Sequence, residues 1–115
     1  MDSFDPEQLA ARCEDDLDFQ REIVGDFLSQ LDPLLERAAV AVASRDAGAV
    51  REAAHALRGS ALSVDARPLA EASARLESLG RSGDLAGAEN ALEQVRHAAA
   101  RLREALDGFL GDRAA

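Results

Sequence analysis

Residues 85–109, LAGAENALEQVRHAAARLREALDGF, carry apolar side chains at Leu85, Ala88, Leu92, Val95, Ala99, Leu102, Leu106 and Phe109. The steps between them alternate three and four over more than three heptads. That alternation aligns the apolar residues in one seam along a helix, the pattern of bundle and coiled-coil packing. Asp84, just ahead of the seam, is the expected N-cap. A seam of this kind must be buried against other helices, and the rest of the chain supplies them.

Working backwards, Leu69, Ala72, Leu76 and Leu79 repeat the spacing of three, four and three, and Gly80 and Gly83 are the expected end of that helix. Ser63–Pro68 is an interruption, since Pro68 disfavours helical geometry at Arg67 and can open a new helix itself. Asp46–Val64 reads as one amphipathic helix with Val50, Ala54, Leu57, Ala61 and Val64 on its stripe. Glu14–Asp16 opens a longer helix to about Ser44, whose apolar face contains Leu17, Val24, Phe27, Leu28, Leu31, Leu35, Ala38 and Val42. Pro33 lies inside it and predicts a kink or break near Leu31. Asp5-Pro6 is a helix-start pair and predicts a short helix from Pro6 to about Cys13. No segment alternates with period two for long enough to form a strand. The expected fold is all-α: an antiparallel four-helix bundle with a short additional N-terminal helix, in one domain over residues 1–115.

Composition narrows the function classes. With 115 residues and 47% hydrophobic content the chain can bury one modest core. Aromatics are 3% of the residues, with no Trp or Tyr, which argues against stacking platforms for bases or sugars. A formal net charge of −9 repels nucleic acid and anionic membranes, so neither is an expected partner. All thirteen basic residues are arginine, which excludes lysine-based chemistry such as a P-loop or Schiff base. The single cysteine, Cys13, is read as a small buried hydrophobe in a reducing compartment. No run approaches the ~20 apolar residues that cross a bilayer, and the N-terminus lacks an apolar signal core. A soluble, cytoplasmic protein is expected.

Signatures of a self-contained active site are missing: no Gly-rich phosphate loop, no His-Glu-x-x-His, no Cys-x-x-Cys, no nucleophile elbow. Only His55 and His97 are histidines, too few for a multi-histidine metal site. His97 reads as an inert surface residue of the last helix. His55 differs, because it falls roughly 140° from the centre of its helix's apolar stripe, in the polar half. Arg51, Glu52, Arg58 and Gly59 surround it at one turn's distance. Glycine in a helix interior costs about 1 kcal/mol relative to alanine. A side chain at position 59 would lean back over the imidazole, and glycine leaves that space empty. A neutral imidazole is a competent nucleophile near neutral pH. With Gly59 clearing the approach and Arg58 offering charge to phosphoryl oxygens, His55 can accept a phosphoryl group from an activated donor.

The run Ala54-His55-Ala56-Leu57-Arg58-Gly59-Ser60-Ala61 resembles the signature of histidine-containing phosphotransfer (HPt) domains, typically Ala-His-x-Leu-Lys-Gly followed by small residues. Leu69 and the pair Leu76-Glu77 are similar to that family's next helix, and the resemblance covers nearly the whole chain. It implies that His55 takes a phosphoryl group from an aspartyl phosphate on a receiver domain and passes it to another receiver. The implied partners are receiver domains of response regulators or of a hybrid sensor kinase. Mg²⁺ then belongs to the receiver, with no cofactor intrinsic to this chain. Arg58 replaces the family's usual lysine, and Asp65 stands where glycine is usual. Aspartate adopts left-handed backbone angles better than most residues, so the turn at Asp65 is expected to survive. Ile23 and Phe27, on the shoulder of the long helix's apolar stripe, and Leu62 are candidate docking residues for a receiver, the alternative being that they complete the core. Arg51 is a further docking candidate. The expected protein is a monomeric phosphoryl carrier with no ATP site. A helical adaptor that binds signalling domains without carrying phosphate is the competing reading. A sensor-kinase dimerisation module fits less well, since such modules have two long helices.

Overall fold

The structure, a computed structural model, describes residues 2–114, with side chains for residues 2–111. Met1 and Ala115 lie outside the described residues. Five helices follow one another: α1 (Pro6–Arg12), α2 (Leu17–Ala43), α3 (Ala47–Ser63), α4 (Arg67–Ser82) and α5 (Ala88–Ala114). Aspartates start the first three. Asp5 Oδ1 accepts from Gln8 N–H, Asp16 Oδ1 from Phe19 N–H and Asp46 Oδ1 from Ala49 N–H, each satisfying a donor the helix leaves open. The turns between α2, α3, α4 and α5 are short, which forces each helix to run antiparallel to the one before. α2 packs on α3, α3 most closely on α4, α4 on α5, and α5 closes the ring on α2. The resulting four-helix bundle measures 46 × 22 × 19 Å, with α1 against one end of α2.

The seam of residues 85–109 is buried throughout, and so are Val50, Ala54, Leu57, Ala61 and Val64 opposite it. Phe4 meets Phe109 edge to face, ring centroids 5.4 Å apart, and ties the N-terminal segment to the bundle. Cys13 is buried, and burial pushes its thiol above the ordinary value, consistent with a packing role. Among the described residues there is no strand, and no helix is long and apolar enough to cross a membrane.

Local rules fail in four places. α2 runs unbroken through Pro33. The proline leaves the Ser29 carbonyl without its usual helical donor, but both residues are exposed, so water can take that bond. Buried Leu31 and half-buried Leu34 and Leu35 hold the helix to the bundle on either side. Leu17, the first residue of α2, is exposed rather than part of its buried face. Asp84 caps a turn, accepting from Ala86 N–H at 3.0 Å, and α5 starts only after Gly87, whose φ of +84° interrupts the helical path. Gly83 ends α4 in the left-handed conformation (φ +79°), but Gly80 is not a stop.

Gly80 instead lies at a close approach of α4 to α3. A β-carbon at position 80 would stand 2.6 Å from the Arg51 amide nitrogen and 2.9 Å from the Ala47 carbonyl oxygen. Those atoms belong to a helix backbone and cannot swing aside. Gly80→Ala is therefore expected to destabilise by about 1–3 kcal/mol or more, despite alanine's better helix propensity, as α4 is levered from α3. Urea unfolding of the variant checks this, and a stability equal to or above wild type would show that the helices have slack there.

Candidate functional site

His55 projects from the middle of α3 with its side chain 66% exposed. Its Nδ1 lies 2.9 Å from Oε2 of Glu77, one helix over on α4. Glu77 is the opposite case: a carboxylate with its side chain 3% exposed, surrounded by the α3–α4 contact. Two arginines accompany it. Arg58 Nη1 is 3.2 Å from Oε1, and Arg81 Nη2 is 3.3 Å from Oε2. A buried carboxylate persists only when charge and hydrogen bonds compensate it, and here an imidazole and two guanidinium groups do so.

The pairing fixes the tautomer of His55. A carboxylate has only acceptors, so the imidazole must donate, which puts the proton on Nδ1. The lone pair then resides on Nε2, the ring nitrogen remote from Glu77. Arg58 Nη2 is 3.4 Å from Nδ1, which with a protonated Nδ1 is proximity rather than a hydrogen bond. Gly59 is exposed, and a β-carbon built there meets nothing within 4 Å. The geometry is an outward-facing nucleophilic nitrogen, oriented from behind by a buried anion, with a cation beside it and open space above.

Of the docking candidates, Leu62 stands 51% exposed on the same face of α3 as His55, two turns on. Arg51 is exposed and Ile23 half-buried. Phe27 is corrected: at 3% exposure it fills the core between α2 and its neighbours and offers no surface to a partner. Phe19, exposed one turn before Ile23 on α2, was not anticipated. Glu77 and Arg81 were also missed as site residues, although the Leu76-Glu77 pair was visible in the sequence. His97 is exposed on α5 in a cleft with Arg75 and Arg101 and takes no part in the His55 cluster.

Asp65 adopts φ +56°, the left-handed turn between α3 and α4. It also fastens α1. Its carbonyl accepts from Asp5 N–H at 3.0 Å, and its carboxylate Oδ1 from Arg12 Nη2 at 2.7 Å, while Arg12 Nη1 donates to the Leu62 carbonyl at 3.2 Å. Oδ2 is buried without a hydrogen-bond partner. Burial raises the Asp65 carboxyl above its ordinary value; Arg12 opposes that rise and Asp5 adds to it. A carboxyl raised in the folded state contributes stability that is full below the ordinary carboxylate range and is lost as pH rises through the raised value. Asp65→Asn keeps a residue tolerant of positive φ and removes the charge. Its stability relative to wild type is therefore expected to rise between about pH 4 and neutrality. Parallel thermal melts across that range check the sign, and a variant losing ground with rising pH would mean that the Arg12 ion pair outweighs burial.

Comparison with known proteins agrees with this fold. The family model of the Hpt domain matches residues 22–105. Among solved structures, histidine-containing phosphotransfer protein B (HptB) from Pseudomonas aeruginosa PAO1 superposes with a TM-score of 0.89, at 25% identity over 96% of each chain. Comparison with curated proteins finds no match. An exposed, oriented histidine on a four-helix bundle, together with a family match across most of the chain, makes this protein a member of the Hpt domain family and a histidine phosphotransfer protein of two-component phosphorelays.

Proposed function

We propose that His55 is the phosphoacceptor and that Nε2 is the atom phosphorylated. The observation that carries this reading is the 2.9 Å contact of Nδ1 with buried Glu77, which leaves Nε2 as the lone-pair nitrogen on an exposed ring. The Nε2 lone pair attacks the phosphorus of a receiver's aspartyl phosphate, the P–O bond to the aspartate breaks, and the receiver carboxylate departs. The proton stays on Nδ1, so the phosphorylated ring is an imidazolium, and Glu77 stabilises its charge through the same hydrogen bond. Arg58 offers its guanidinium to the phosphoryl oxygens. Transfer to a second receiver is the reverse of these steps.

Hpt domains interact with receiver domains and carry phosphate without kinase activity of their own. For this chain we read the absence of an ATP site into the same picture, with Mg²⁺ held by the receiver. Leu62, Ile23, Arg51 and Phe19 form the proposed docking face around His55. The bundle buries the main apolar faces of its four long helices, which supports a monomer, proposed to act in the cytoplasm. A non-phosphorylated adaptor would need neither a tautomer-fixed imidazole nor a helix glycine beside it. The deciding experiment incubates the protein with phosphorylated receivers and looks for acid-labile, alkali-stable label on the chain. No label from any of a broad receiver panel, with the receivers themselves active, would reject the carrier reading.

A further inference from the structure

Three donors converge on Glu77, and they divide its oxygens unequally. Oε2 takes both the His55 Nδ1 proton and Arg81, whereas Oε1 takes Arg58. Arg58 is thus committed to Glu77 in the unphosphorylated protein, with its other terminal nitrogen beside the ring at 3.4 Å. A phosphoryl group on Nε2 brings about two negative charges to the rim of this cluster. Arg58, half-buried and one turn from His55, lies on the Nδ1 side of the ring, so engaging phosphoryl oxygens on Nε2, the other ring nitrogen, requires it to turn outward from Oε1. Without Arg58, Glu77 would keep only the His55 imidazolium on Oε2, whose charge the phosphoryl group already offsets, and a buried carboxylate so weakly compensated is unfavourable. Arg81 removes that obstacle. It reaches Glu77 from the following turn of α4 and binds the oxygen that Arg58 does not use.

We propose that Arg81 is a positioning residue for phosphoryl transfer, compensating Glu77 while Arg58 turns from Glu77 Oε1 to the phosphoryl oxygens on His55. This rests on His55 being the phosphoacceptor. In the return step Arg58 falls back onto Oε1 as the phosphoryl group leaves, so both states of the carrier have every charge paired. Arg81 acts only through Glu77 and Arg58.

The test is a double-mutant cycle on the rate of transfer from a phosphorylated receiver. Arg58→Ala and Arg81→Ala are each expected to slow transfer about tenfold, because in the second variant Arg58 is retained by Glu77. The double variant should be no more than about twofold slower than Arg58→Ala, since one function is lost in both. Arg81→Lys should restore most of the rate. In a Glu77→Gln background, where a neutral amide has no charge to compensate, the Arg81→Ala loss should shrink to within about twofold. A second readout is the side-chain N–H spectrum of ¹⁵N-labelled arginine, with the histidine phosphorylated by phosphoramidate. The Arg58 signal should shift on phosphorylation in wild type and stay near its starting position in Arg81→Ala. If Arg81→Ala folds poorly by circular dichroism, Arg81→Gln takes its place. Multiplicative losses in the double variant, near a hundredfold, or an Arg58 signal that moves fully without Arg81, would overturn the proposal while leaving His55 as acceptor. Labelling that persists in His55→Gln would instead remove the acceptor assignment itself.

Discussion

His55→Gln is expected to reduce labelling by a phosphorylated receiver to background, a loss of about 10³-fold or more, because the only nucleophilic atom of the cluster is gone. The same variant should unfold within about 0.5 kcal/mol of wild type, as surface substitutions do. Two features of the structure support that second half. The ring is mostly exposed, so little packing is lost, and the glutamine amide can donate to Glu77 Oε2 as Nδ1–H does. Arg58 and Arg81 remain on the carboxylate in either case. Alanine would be the poorer probe, since it deprives a buried anion of one donor and mixes stability with chemistry. His97→Gln is the matched control and should transfer at the wild-type rate, standing as it does in a different cleft. Phosphate turnover is measured by label retained after alkali and lost after acid. Persistent label on the His55 variant, with its fold intact, would move the acceptor elsewhere on the chain.

Most of the architecture was legible because it follows from helical periodicity. The seam from Leu85 to Phe109 and the stripe from Val50 to Val64 are buried as their spacing requires. His55 was legible for the converse reason: it lies off the stripe of a regular helix, beside a glycine that nothing local demands. Its supporting residues were not. Glu77 and Arg81 come to His55 only through the antiparallel pairing of α3 with α4, a contact between residues 22 apart for Glu77. On its own helix Glu77 shares a row with Ser73 and Gly80, and a wheel reads polar and small residues as a solvated face. In the folded chain that row is where α4 meets α3, and it is buried. Gly80 misled in the same way, since a glycine near a helix end signals a stop unless a neighbouring backbone is known to be close. Phe27 sits on the shoulder of its stripe, and only the position of the adjacent helices decides that the shoulder is covered. Pro33 shows tertiary packing overriding a local rule. Each of these misses is a contact between helices, which periodicity along one helix cannot contain.

Gly59 separates stability from transfer more sharply than any other position. It is exposed in the middle of α3, and open space surrounds the point where a β-carbon would go. Gly59→Ala should therefore stabilise the isolated protein, by up to about 1 kcal/mol, since alanine loses less backbone entropy on forming helix and meets no neighbour. Glutamine, also a good helix former, should be accepted by the fold as well. Both substitutions stand one turn C-terminal to His55, and helical side chains lean toward the N-terminus, over the preceding turn. The new atoms thus enter the approach to the imidazole that a receiver's aspartyl phosphate must use. In-line attack requires the reacting atoms to come within about 3–3.5 Å, and misplacement by about 1 Å can cost 10²-fold. The methyl group should slow transfer modestly, and the glutamine side chain by about 10²-fold or more. Small phosphodonors such as phosphoramidate need less room than a protein domain, so they should phosphorylate Gly59→Gln far more readily than a receiver does. That split assigns the defect to access rather than to the nucleophile. Chemical denaturation and transfer kinetics on the same preparations measure both quantities. If Gly59→Gln accepts phosphate from a receiver at the wild-type rate, the glycine beside His55 does not serve steric access, and its cost to the helix needs another cause.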